Sequence, residues 1–98
     1  MNPQIEKYIR QLFYDAQKGI CPICLKPLDA KLSLDHDHAT GEPRGLLHQR
    51  CNMMVAQKET HTKRLNYIIS RQTEWRIFDY IRNHVELKVH QNGSREMD

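Results

Sequence analysis

Two short ligand pairs, Cys21-Pro22-Ile23-Cys24 and His48-Gln49-Arg50-Cys51, stand 23 residues apart and constrain this chain more than any other feature. Tetrahedral zinc takes four nitrogen or sulfur donors, commonly from two such pairs. Three thiolates and a neutral imidazole fill the coordination sphere and leave no open position, so the metal expected at Cys21, Cys24, His48 and Cys51 is structural. The need for one follows from length. A chain of 98 residues buries a limited share of its surface, and a metal crosslink makes up for a small core. Two other readings exist. Free cysteines can be buried as small hydrophobes, and His61 is a second histidine downstream, although it lies well beyond the Cys51 pair and reads better as a helix residue.

Periodicity organises the flanks. Ile5, Tyr8, Ile9, Leu12, Phe13 and Ala16 recur at three- and four-residue spacing, which predicts a helix with one apolar stripe. Asn2 is its expected N-cap, Pro3 its first residue and Gly19 its stop. Pro22, Pro27 and Pro43 then break the pattern. "KLSLD" and "RGLLH" read as two short strands joined by "HATGEP", whose Gly41 suits a turn. From Gln49 no proline or glycine occurs until Gly93. Leu65, Ile68, Ile69, Gln72, Trp75, Phe78, Ile81 and Val85 are read as one face of a long helix or bent pair. The expected layout is an α+β single domain: an N-terminal helix over 1–19, a zinc-bound finger over 20–60, a helical segment over 61–90, and a frayed tail over 91–98.

Charge narrows the partners. The net charge is +3, a bias that permits nucleic acid without demanding it. Residues 61–90 carry six basic side chains against three acidic ones, whereas 21–60 carry five of each. The surplus therefore lies beside the metal segment rather than within it. No run approaches the roughly 18 apolar residues of a membrane span. The N-terminal segment has no signal-peptide core. These features point to a soluble cytoplasmic protein with no membrane partner.

Closing the zinc site leaves "LDHDH", residues 34–38, unused. Two histidines and two aspartates within four positions suit hydrolysis of a phosphodiester, which needs a base for water and a divalent cation for the developing charge. Mg²⁺ takes oxygen ligands, often one or two from protein. Asp35 offers a carboxylate, and Asn52, directly after Cys51, offers an amide oxygen. His36 is the natural base, since imidazole can exchange its proton near neutrality. Strict strand alternation puts His36 and His38 on one face and Asp35 and Asp37 on the other. Asp35 and His36 can therefore share a site only if the strand ends or bends between them.

The combination of "CPIC", "DHDHATGEPRGLLHQRCN" and the lead-in "AQKGICPIC" resembles the recombination endonuclease VII family of His-Me finger (HNH-type) nucleases. The likeness covers roughly residues 14–56. It implies a ββα-metal finger in which the hairpin and the helix from about Gln49 clasp a catalytic cation. Carried over by residue, Asp35 and Asn52 would bind Mg²⁺, with Mn²⁺ as a substitute, His36 would be the general base, and His38 would assist at the phosphate. Cys21, Cys24, His48 and Cys51 would hold zinc. The family's products are 5′-phosphate and 3′-hydroxyl DNA ends. His48 stands where the family has a cysteine, a change zinc accepts. The C-terminal half does not follow the larger members, whose further helices dimerise and grip branched DNA.

Two functions remain in view: a Mg²⁺-dependent DNA endonuclease, acting in the host-cell cytoplasm if phage-encoded, and a non-catalytic zinc module that grips nucleic acid or a protein. A homodimer through Leu65 to Ile81 is expected in either case, because a short chain offers little else to cover that stripe. Asp37 is read as a hairpin brace, and Arg44 as a phosphate contact or an internal salt bridge. Trp75, Phe78 and Tyr80 are read as core or interface residues, and His84 and His90 have no evident partner.

Overall fold

The computed structural model describes residues 2–60 and 70–87. Its elements are α1 (Pro3–Ala16), β1 (Leu32–His36), β2 (Pro43–His48), α2 (Gln49–Thr60) and α3 (Arg71–Asn83). The described residues form a small α+β fold of three helices and one two-stranded antiparallel sheet. None of these helices is long and apolar enough to cross a membrane.

α1 begins as the sequence indicates. The Asn2 side chain accepts a hydrogen bond from the Gln4 N–H at 2.7 Å, and Pro3 takes the first turn, where no partner for its nitrogen is needed. The helix caps at Gln17, and the chain passes through left-handed backbone at Lys18 (φ 55°) and Gly19 (φ 69°). Only the middle of the expected stripe is covered: Phe13 is buried, Ile9 packs beside it and Leu12 is half-buried, whereas Ile5, Tyr8 and Ala16 are exposed. Gln17 fastens the helix end to the sheet. Its side-chain amide donates to the Leu46 carbonyl and accepts from the Leu46 N–H, both at 2.8 Å, as a strand neighbour would.

The segment after α1 folds back on itself as a knuckle. Leu25 N–H donates to the Cys21 carbonyl at 2.9 Å, Cys21 N–H to the Lys26 carbonyl at 3.0 Å, and Ile20 bridges Pro27. β1 and β2 then pair with Leu32 opposite His48, Leu34 opposite Leu46 and Asp35 opposite Gly45. The register slips between Asp35 and His36, so His36 faces Pro43 rather than Arg44. Leu34 and Asp35 are buried in succession, and Arg44 to Leu47 likewise on β2, because both faces of the hairpin are covered.

α3 corrects one expectation. Ser70 caps it by accepting from the Thr73 N–H at 3.1 Å. The residues it buries are Ile77 and Tyr80, with Ile81 and Val85 packed alongside, while Trp75 is 66% and Phe78 44% exposed. The reason is helical geometry. A step of three residues slips about 60° around the axis, so Gln72, Trp75, Phe78 and Ile81 wind round the helix instead of lining one face. Ile77, Tyr80, Ile81 and His84 follow the i, i+3, i+4, i+7 rule and do share a face. Leu65, Ile68 and Ile69, like His61, Lys63, Arg64, Lys88, His90 and the 91–98 tail, lie outside the described residues.

One core joins these pieces. Phe13 of α1, Cys21, Ile23 and Leu28 of the knuckle segment, Leu34, Leu46 and Leu47 of the sheet, Met54 and Val55 of α2, and Ile77 and Tyr80 of α3 form a single buried cluster.

Candidate metal centre and the Asp35 network

The knuckle and the start of α2 bring the two sequence pairs together. One ligand atom from each of Cys21, Cys24, His48 and Cys51 lies within 4.8 Å of all the others. Zinc–sulfur bonds of about 2.3 Å put tetrahedral donors about 3.8 Å apart, so the four fit that ion with small adjustment. Cys21 and Cys51 are buried, and Cys24 and His48 half-buried. The imidazole is already oriented. His48 Nε2 lies 2.9 Å from the Pro27 carbonyl, which can only accept, so Nε2 carries the proton. Nδ1, 3.3 Å from Cys24 Sγ, is left with its lone pair towards the thiols.

The thiols are close enough to perturb one another. Cys21 is pushed down to about 4, first by the hydrogen bond it accepts from Cys51 and then by nearby backbone N–H groups. Cys51 is pushed strongly up by that same bond and by burial. One thiolate is favoured and the next opposed, a conflict that a bound divalent ion removes. This Cys₃His cluster is suited to structural zinc. Among the described residues no second group of three histidine, cysteine or carboxylate donors converges in this way.

The aspartate at the slipped register sits in a different kind of site. Asp35 is 6% exposed, and its Oδ2 accepts from Arg44 Nε at 2.6 Å and from the Tyr80 hydroxyl at 2.7 Å. Among the described residues Oδ1 takes no hydrogen bond. Arg44, itself buried, also holds the Glu59 carboxylate of α2 with both terminal nitrogens, and lies 5.7 Å from the centre of the Tyr80 ring. Burial, and then the Asp35 charge, hold the Tyr80 hydroxyl protonated well above the ordinary tyrosine range. Arg44 is thus the internal salt bridge of the two sequence readings.

The remaining site residues surround the slip. His36 is half-buried at the end of β1, and His38 is exposed in the turn that follows. Asp37 braces that turn: its Oδ1 accepts from Ala39 N–H at 2.8 Å and Thr40 N–H at 3.3 Å, its own N–H donates to the Glu42 carbonyl, and Gly41 supplies a φ of 79°. The two turn N–H bonds, with help from Arg44 and His84, hold its carboxyl below the usual carboxylate range. Asn52 is half-buried in the first turn of α2, next to the zinc-pair residue Cys51.

His84, with no partner evident from sequence, has one. Its Nε2 stands 3.6 Å from Asp37 Oδ2, and it caps α3 in left-handed backbone (φ 58°) while its N–H bonds the Tyr80 carbonyl. The next residue, Val85, donates its N–H to the Arg44 carbonyl at 2.9 Å, so the end of α3 is tied to β2. Tyr80 was invisible as a partner of Asp35, and Glu59 as a partner of Arg44, because nothing in sequence spacing reports contacts across 45 and 15 residues.

The family model described as recombination endonuclease VII matches residues 1–74. No solved structure matches the chain.

Proposed function

This chain belongs to the recombination endonuclease VII family, and on that premise we propose that it is a Mg²⁺-dependent DNA endonuclease of the His-Me finger type. Membership itself indicates a nuclease acting on DNA, with the Cys₃His cluster as its structural zinc centre. The finer reading assigns the residues between the zinc pairs. Asp35 and Asn52 would hold the cation, which when bound supplies positive charge at the scissile phosphate and the leaving oxygen. His36 takes the proton of the attacking water. His38, exposed in the turn, donates to the phosphate. The products are 5′-phosphate and 3′-hydroxyl ends.

The observation that carries this reading is the slip between Asp35 and His36. It removes the objection from alternation, since a strand bent at that peptide bond no longer has to send the two side chains to opposite faces. The unshared Oδ1 of Asp35 and the placement of Asn52 one residue from Cys51 add to it. The proposal extends to a homodimer, for which Trp75 and Phe78 of α3 supply exposed apolar surface.

The test is nicking of supercoiled plasmid by zinc-loaded protein with Mg²⁺, with Mn²⁺ and with neither. Cleavage that needs the cation and leaves ends that ligase can seal supports the proposal. DNA binding without cleavage under every condition would instead identify a non-catalytic zinc module.

A further inference from the structure

Asp35 is tethered from outside its own hairpin. β2 supplies Arg44 Nε at 2.6 Å, and α3 supplies the Tyr80 hydroxyl at 2.7 Å, from 45 residues away, onto the same carboxylate oxygen. The Tyr80 ring reaches that position only because it lies on Gly45, the residue paired with Asp35 across the sheet. Tyr80 also lies beyond residue 74, where the family match ends.

We propose that Tyr80 is a positioning residue for the cation site: together with Arg44 it ties Asp35 Oδ2 and so leaves Oδ1 as the oxygen that a hard divalent cation takes. The inference rests on the reading of Asp35 as a cation ligand. The terminal torsion of an aspartate is broad and roughly two-fold, so an untethered carboxylate presents either oxygen over a wide arc. Two donors on one oxygen remove that freedom before the ion arrives. Partners of this kind, one shell out from a metal ligand, are typically worth about 10- to 100-fold in metal affinity. Burial also keeps the Tyr80 hydroxyl protonated, so it stays a donor at neutral pH. The C-terminal helix thereby has a part in cation binding, although it contributes no ligand.

Tyr80→Phe is the clean probe, since it keeps the ring on Gly45 and removes only the hydroxyl. The full zinc-loaded chain is titrated with Mn²⁺ and followed by electron paramagnetic resonance, with zinc content and the melting transition recorded in parallel. Expected is one Mn²⁺ site per chain that weakens about 10- to 100-fold in Tyr80→Phe, with zinc retained, and cleavage that recovers as Mg²⁺ is raised. A merely structural role would lower the melting temperature and leave the Mn²⁺ affinity of the folded fraction alone, and that result overturns the proposal. Asp35→Asn in the same titration separates the two layers. If Asp35→Asn abolishes the site and Tyr80→Phe binds as the parent does, the positioning role fails while Asp35 stands as ligand. If Asp35→Asn binds as the parent does, Asp35 is not the ligand and both fall. Should Tyr80→Phe melt too low for the titration, the zinc-loaded variant is titrated at reduced temperature with its folded fraction set by circular dichroism, and parental affinity of that fraction overturns the proposal equally.

Discussion

Gly45 and Tyr80 approach so closely that no side chain fits between them: a Cβ built on Gly45 would lie 2.6 Å from the Tyr80 ring and from its hydroxyl oxygen. The glycine is required here for space rather than for an unusual dihedral angle. Tyr80 is 4% exposed and bonded to Asp35, so it has nowhere to retreat. Gly45→Ala is expected to cost about 1–3 kcal/mol, the usual penalty for forcing a group into a packed core. Urea unfolding of the zinc-loaded protein measures it. An alanine as stable as the parent would show that the ring can swing clear.

Arg44 should be the most sensitive charged residue in the fold. It is 2% exposed and is shared between Asp35 and Glu59. Removing one partner of a buried ion group leaves the others uncompensated, at about 3–5 kcal/mol. Arg44→Ala is therefore expected to lose that much or to fail to fold. Lys58 and Glu74 also pair, at 2.6 Å, but Glu74 is 40% exposed there. Screening and side-chain entropy bring such a pair to about 1 kcal/mol or less. Lys58→Ala should sit near the parent in the same denaturation series, and a loss as large as that of Arg44→Ala would contradict the ranking by burial.

The Cys₃His cluster predicts one zinc per chain. Its ligands come from the knuckle, the end of β2 and the start of α2. Chelation should therefore unfold the finger rather than one loop. Cys24→Ala and Cys51→Ala should lose zinc and fold together, whereas His48→Cys should keep both, because sulfur replaces nitrogen without opening the sphere. Acid should release the ion, since the thiols bind only when deprotonated. Elemental analysis alongside circular dichroism tests all of this. Folded protein free of zinc would refute it.

The metal pairs, both strands to within a residue, and the N-cap of α1 were legible because each has a local cause: ligand spacing, a proline, an asparagine before a helix. The slip at Asp35 was legible only as a requirement. The face of α3 was misread, since large apolar residues at steps of three catch the eye while the buried set contains a tyrosine valued for its hydroxyl. Of the tethers of Asp35, Arg44 was legible only as a salt bridge without a named partner, and Tyr80 was beyond sequence altogether. Arg44 and Tyr80 come from different elements and meet on one carboxylate oxygen, and Glu59 of α2 holds the other end of Arg44; only tertiary packing brings them together.

The division of labour between base and cation can be separated by rescue. His36→Ala removes the group proposed to deprotonate water. His36 is not one of the zinc-cluster residues, and among the described residues its side chain makes no hydrogen bond, so the variant should fold and keep zinc. DNA binding should remain near parental, and cleavage should fall by about a hundredfold or more, at the scale of a lost general base. Asn52→Ala removes a proposed oxygen ligand instead, so its defect lies in cation occupancy and should shrink as Mg²⁺ is raised. The His36→Ala defect should not shrink, since saturating the cation site does not restore a proton acceptor. Parental cleavage should also fall on the acid side, because a protonated imidazole cannot take the proton from water. Single-turnover cleavage of the parent and both variants across Mg²⁺ concentration and pH distinguishes these behaviours. A folded His36→Ala that cuts at the parental rate would remove His36 as the base and leave His38 as the residue to test next.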